Sequence, residues 1–161
     1  MCVSSREHCV TAIFLTAGGL GQLIDGRTGD TDFSLKDSQL GISGYDWVGW
    51  RNTSAFATRP LQIVFAFDDV RNFTEMRLFM NNDFRRQVRV FSKVRVTFSV
   101  GGEVFDDGAP VEVPHARDEQ ARYGRYVPVA LQHGVGKFVK VQMYFDADWI
   151  LLSEVEFDSG K

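Results

Sequence analysis

Leu61 to Phe67 reads LQIVFAF, and its odd-numbered members, Leu61, Ile63, Phe65 and Phe67, are all large and apolar. An extended chain turns alternate side chains to opposite faces, so those four share one face and the segment predicts a strand. The Asp68-Asp69 pair that follows predicts a turn. FTEMRLFM, Phe73 to Met80, alternates Phe73, Glu75, Arg77 and Phe79 against Thr74, Met76, Leu78 and Met80, and Asn81-Asn82-Asp83 closes it. VRVF (Val88 to Phe91) and KVRVTFSV (Lys93 to Val100) come next, the second with Val94, Val96, Phe98 and Val100 on one face and Gly101-Gly102 as a hairpin turn. Tyr126 to Leu131, Lys137 to Phe145 and Trp149 to Phe157 predict three further strands. Short strands between Gly, Asn and Asp turns, without a sustained helical period, make the chain all-β, a sandwich or jelly roll.

The composition agrees. Fourteen phenylalanines stand against four prolines among 161 residues, which suits half-buried pleated surfaces in one domain. A net charge of -3, with basic residues scattered among acids, makes nucleic acid and anionic membrane poor partners. The two cysteines, Cys2 and Cys9, both lie in the first ten residues, where no internal bridge can staple the rest of the fold. The apolar run Cys9 to Leu15 is far too short to span a bilayer, and no other stretch is long enough.

GGLGQLIDGRTGDTD, Gly18 to Asp32, is the densest loop. It is not a dinucleotide loop, because Ile24 stands where the third small residue belongs and no Lys-Ser/Thr pair follows. Asp25, Asp30 and Asp32 with Gln22 offer the hard oxygens that calcium takes, although Leu35 and Gly41 occupy the positions where an EF-hand needs its glycine and glutamate. A solvated turn explains the same residues. SGYDWVGW places Tyr45, Trp47 and Trp50 close together, either as a binding platform or as a seal on the end of the core. His8, His115 and His133 have no serine elbow or Cys/His neighbour, and Glu75, Asp106, Glu154 and Glu156 carry no spacing that marks a catalytic pair, so no catalytic residue is expected. Asn52-Thr53-Ser54 and Asn72-Phe73-Thr74 are sequons, each expected at a strand end.

GGLGQLIDG, SGYDWVGWRNTS, FDDVRNFTEM with MNND after it, and DWILLSEVEF, in that order, resemble the membrane-proximal discoidin-like domain of the discoidin domain receptors, the collagen-binding receptor tyrosine kinases. The resemblance runs from Gly18 to Ser159. It implies a discoidin-like jelly-roll sandwich of about eight strands with a structural Ca2+. Gln22, Asp25 and the main chain of Arg27 would hold the ion from the loop, with Tyr45 and Trp47 from YDW, and Ser153 and Glu154 from LLSE. Asn52 and Asn72 match glycosylation positions. The family's disulfide would fall on Val96 and Val141, two apolar residues able to pack together. Residues 1–17 are expected to be an unrelated leader or a gene-model artefact standing where the family has its first strands, and 18–161 to be the domain. The family implies a non-catalytic extracellular role beside a collagen-binding discoidin domain in a single-pass receptor, with a possible receptor dimer and no membrane insertion by this segment. A free-standing jelly-roll lectin or adhesion module, stacking ligands on Tyr45, Trp47 and Trp50, is the alternative.

Overall fold

A computed structural model describes residues 21–34, 46–53 and 59–160, together with the backbone of Val10–Ile13. Within them lie seven antiparallel strands: β1 (Val10–Ile13), β2 (Val48–Arg51), β3 (Leu61–Met80), β4 (Lys93–Ser99), β5 (Val111–Pro114), β6 (Arg125–Tyr144) and β7 (Trp149–Gly160). Two short 3-10 turns, Gly21–Ile24 and Phe84–Arg86, complete the set.

The architecture follows from β3 and β6, each 20 residues long and bent in the middle. The first half of β3 pairs with the second half of β6, flanked by β1 on one side and by β4 and β5 on the other. The second half of β3 pairs with the first half of β6, flanked by β7 and β2. The pairing skips between Ala66 and Arg71, and β6 bends where Gln132 and His133 take left-handed φ of 53° and 60°. The two halves are therefore two layers that share their central strands, a sandwich closed by bulges. Phe65 and Phe157, from opposite layers, meet edge to face at 5.1 Å, and Phe73 stacks on Phe98 at 5.9 Å.

The apolar face read at Leu61, Ile63, Phe65 and Phe67 is buried, as is that of Val94, Val96 and Phe98. Four expectations need correction. Asp68-Asp69 does not end a strand. It lies in the bend of β3, where Asp68 Oδ1 accepts from Arg71 at 2.6 Å and from the Asp69 N–H at 3.1 Å, so the acids are satisfied locally while β3 resumes its pairing with the same partner. Tyr126 to Leu131 and Lys137 to Tyr144 likewise belong to one strand, β6, with Phe145 just past its end. Val88 to Phe91 is not a strand: Val90 and Phe91 are both buried, which breaks the alternation, and only Val88 makes a bridge, to Trp149. At Gly101-Gly102 the chain turns, with Gly102 at φ +84°, but β5 begins only at Val111, so no two-residue hairpin forms.

β1 falls within the 1–17 segment that the sequence reading set apart, and its backbone pairs with Val64 to Phe67 of β3. Cys2, Cys9 and His8 lie outside the described residues. Val96 and Val141 are directly opposite on β4 and β6, both fully buried.

Candidate functional site

The site begins with an irregularity in β7. Ile150 and Leu152 face the main core, and unbroken alternation would send Glu154 there with them. Between β3 and β7 the register shifts, however: Phe79 opposes Glu154 while Met80 opposes Leu152, leaving Ser153 as the extra residue of a bulge. The bulge turns Glu154 to the other face, and Val155 resumes the core side. Ser153 and Glu154 thus lie side by side under the 21–34 loop.

Leu23, fully buried in the main core, anchors that loop. Gly26 then takes φ +80°, a conformation that favours glycine, and its N–H donates to Glu154 Oε2 at 3.2 Å. The Gly29 N–H donates to Ser153 Oγ at 2.7 Å, and the Ser153 hydroxyl reaches the Arg27 carbonyl at 3.5 Å. Asp25 Oδ1 accepts from the Arg27 N–H at 2.9 Å, and the Arg27 guanidinium pairs with Asp46 at 3.1 Å. Trp47 closes the loop from outside, its indole N–H donating to the Asp30 carbonyl at 2.9 Å. A side chain at Gly29 would overlap that indole.

Glu154 is only 3% exposed. Burial, then the charges of Asp25 and Glu156, push its carboxyl up to about 8, against the pull of the Gly26 and Asp25 N–H groups. Among the described residues no basic side chain forms a salt bridge with it. A desolvated acid beside a second carboxylate and a main-chain carbonyl is a donor set that suits a hard divalent cation. No group of three or more His, Cys, Asp or Glu gathers among the described residues, so such an ion would rest on two carboxylates and neutral oxygens.

The structure therefore brings together Asp25, Arg27, Ser153 and Glu154, with Gln22 in the 3-10 turn just ahead of them. Trp47 is buried beside Val88 and Leu151, which leaves no open face for stacking a ligand. Trp50 is partly buried against the core, and Tyr45 lies outside the described residues. Asp30 and Asp32 do not join Glu154. Asp30 Oδ1 accepts from the Asp32 N–H at 3.3 Å, and Asp32 Oδ1 from the Ser34 N–H at 3.0 Å, the geometry of solvated Asx turns. Asn52 is exposed just after β2. Asn72 is not at a strand end: it sits inside β3 between Val135 of β6 and Gly160 of β7, with its Oδ1 enclosed and unpartnered.

Reading residues alone missed Gly29, whose bareness admits Trp47, and Asn81, whose Nδ2 donates to the Thr31 carbonyl at 3.0 Å. MNND stood out as a motif, but nothing in the sequence says which loop an asparagine will reach.

Residues 10–159 match the family model of the DS-like domain of discoidin domain-containing receptor 1/2. The chain is 35% identical over 149 residues to epithelial discoidin domain-containing receptor 1 of Mus musculus, covering 92% of this chain and 16% of that protein. It is 28% identical over 145 residues to discoidin domain-containing receptor tyrosine kinase B of Caenorhabditis elegans, covering 89% of this chain and 17% of the relative. It thus spans about a sixth of these receptors' length. Among solved structures, CBM32-3 from a family 31 glycoside hydrolase of Clostridium perfringens superposes with a TM-score of 0.57 at 13% identity, covering 94% of this chain and 91% of that one. That likeness is one of fold alone. With a family match over nearly its whole length and relatives that share the same domain, the chain belongs to the discoidin domain receptor family as a DS-like domain of jelly-roll fold.

Proposed function

We propose that this domain is a non-catalytic extracellular module of a collagen-activated, single-pass receptor tyrosine kinase, stabilised by calcium. In the intact receptor it supports a neighbouring collagen-binding discoidin domain and transmits or restrains activation, with receptor dimers as the context in which that restraint acts.

The observation that carries the reading is the Glu154 carboxylate, buried against Asp25 with no basic partner among the described residues. Gln22, Asp25, the Arg27 carbonyl, Ser153 and Glu154 would hold the ion, with Trp47, which covers the loop, and Tyr45 two residues before it in sequence. The bound ion supplies positive charge against two carboxylates. Its role is structural: it ties the loop before β2 to the last strand, and ligand linkage converts that tie into stability. Extracellular modules of this kind bind calcium at about 10⁻⁴ to 10⁻³ M, so the domain is loaded where calcium is millimolar. The lectin alternative needs an exposed aromatic platform, and Trp47 is buried.

Thermal unfolding of the chain in millimolar calcium against excess chelator tests the reading. A midpoint raised by calcium in the parent, and unmoved in Asp25→Ala and Glu154→Ala, supports it; a parent with no calcium response refutes it.

A further inference from the structure

We infer that Asn81 is the positioning residue of the proposed cation loop. The inference rests on the calcium reading for its consequence but on hydrogen bonds already described for its geometry. Asn81 is fully buried at the end of β3. Its main-chain N–H donates to the Leu151 carbonyl at 3.2 Å, which fixes it against the strand that bears Ser153 and Glu154. Its Oδ1 accepts from the Asp83 N–H at 2.9 Å, and this holds the amide plane so that Nδ2 points at Thr31, whose carbonyl it meets at 3.0 Å.

The bond matters because of where Thr31 lies. The loop leaves the core at Leu23, crosses Glu154 at Gly26 and Ser153 at Gly29, and is then fastened at two consecutive carbonyls: Asp30 by Trp47 from outside and Thr31 by Asn81 from inside. Those two bonds close the span that carries Asp25 and the Arg27 carbonyl. Without the inner one, the limb after Gly29 is tied to the segment after β3 only by the exposed Arg86, which pairs with Asp32 at 3.4 Å and lies over Phe33, and the span that carries Asp25 and the Arg27 carbonyl loses its buried fastening. An asparagine amide suits the position because it supplies a donor and an acceptor at once without adding charge beside two carboxylates.

The neighbouring residue provides an internal control. Asn82 is equally buried, at 2% exposure, yet its Nδ2 donates to the Asp118 and Ala121 carbonyls of a different loop, at 2.9 and 2.8 Å. Asn81→Ala and Asn82→Ala therefore remove comparable buried hydrogen bonds, and only the first touches the cation loop. Outer-shell partners that touch metal ligands directly contribute about 10- to 100-fold in affinity, and Asn81, which acts through Thr31, is expected at the lower end of that range.

The test compares the 161-residue chain with both variants by calcium titration calorimetry and by amide hydrogen exchange over residues 25–32 in chelator. Asn81→Ala weakening calcium binding at least about tenfold and accelerating exchange at Gly29, while Asn82→Ala does neither despite a lowered unfolding midpoint, supports the inference. Equal effects from the two variants overturn it, since both would then act only through stability. If the parent takes up no calcium, the calcium reading falls, and exchange in chelator still decides whether Asn81 positions the loop. Should Asn81→Ala fail to fold, Asn81→Asp, which keeps the acceptor for Asp83 and loses the donor to Thr31, is measured by the same exchange; unchanged protection over 25–32 there also overturns it.

Discussion

Neutralising Glu154 should stabilise the domain without calcium and abolish its response to calcium. Burial and the adjacent carboxylates raise the folded-state carboxyl from its ordinary 4.5 to about 8, so the protonated form is the one that folding favours. Its contribution to stability is therefore fully present below pH 4.5 and is lost as pH rises through 8. Between pH 5 and 8 linkage makes that loss about 3 kcal/mol, or roughly 6 to 12 °C in the unfolding midpoint of a domain this size. Glu154→Gln keeps the shape and an acceptor for the Gly26 N–H but has no charge to desolvate. In chelator, the variant should match the parent near pH 5 and exceed it by about that margin at pH 8. His115, which burial holds below its ordinary value, shifts stability in the opposite direction over part of this range, but equally in both proteins. Calcium at about 100 times its dissociation constant should then add about 2.7 kcal/mol to the parent and leave Glu154→Gln where it stood. Thermal unfolding followed by circular dichroism at pH 5 and pH 8, with calcium or chelator, provides all the comparisons. A parent midpoint in chelator that runs parallel to that of the variant across the range would refute the reasoning, because it would mean that the Glu154 charge is already compensated.

Three further outcomes follow from the packing. Gly29→Ala, which sets a methyl group into the Trp47 indole, should cost about 1 to 3 kcal/mol by urea denaturation, below the about 3 to 5 expected for Trp47→Ala. Gly21→Ala, with nothing near its added methyl, serves as the control and should stay within about 0.5 kcal/mol. Cysteines at both Val96 and Val141 should form a bond on oxidation, since directly opposed residues of an antiparallel pair fall within disulfide reach, and the oxidised double variant should unfold about 2 to 4 kcal/mol later than its reduced form. In a Cys2→Ser, Cys9→Ser background, free-thiol assay and melts with and without reductant would show it, and two thiols persisting after oxidation would refute it. For chain secreted from glycosylating cells, intact-mass analysis should find glycan on exposed Asn52 and little on Asn72, whose amide is partly enclosed within β3; full occupancy at Asn72 would contradict that placement.

The strands were legible where one face alone is buried. Leu61 to Phe67 needs only a period of two, and its burial follows that period. What could not be read was continuity. A bend and a strand end use the same residues, Asp, Asn and Gly, and whether the chain resumes beside the same neighbour is decided by that neighbour. Asp68-Asp69 and Gln132-His133 look like terminators locally, but each lies where β3 and β6 cross together from one layer to the other, and neither strand can end there without ending its partner. The same limit explains Val88 to Phe91, whose apolar residues fill the core without joining a ladder.

The site was legible in kind more than in arrangement. Asp25, Asp30 and Asp32 are equivalent as a sequence pattern, and each caps the backbone two residues on; only the fold separates them, because Asp25 directly follows the turn anchored by Leu23 and its charge acts on Glu154, whereas Asp32 pairs with Arg86. Glu154 makes the point most sharply. Counted by alternation from Ile150 and Leu152, it belongs in the core, where an unpaired carboxylate would be intolerable. One extra residue opposite the end of β3 resolves the conflict by turning Glu154 out of the core, but into a loop that still excludes water. The bulge thus exchanges an impossible burial for a costly one, and the remaining cost, an acid held up at about 8, is the feature that gives a cation something to relieve. If that bulge were lost, Glu154 and the proposed ion site would disappear together, so the irregularity of β7 is part of the site itself.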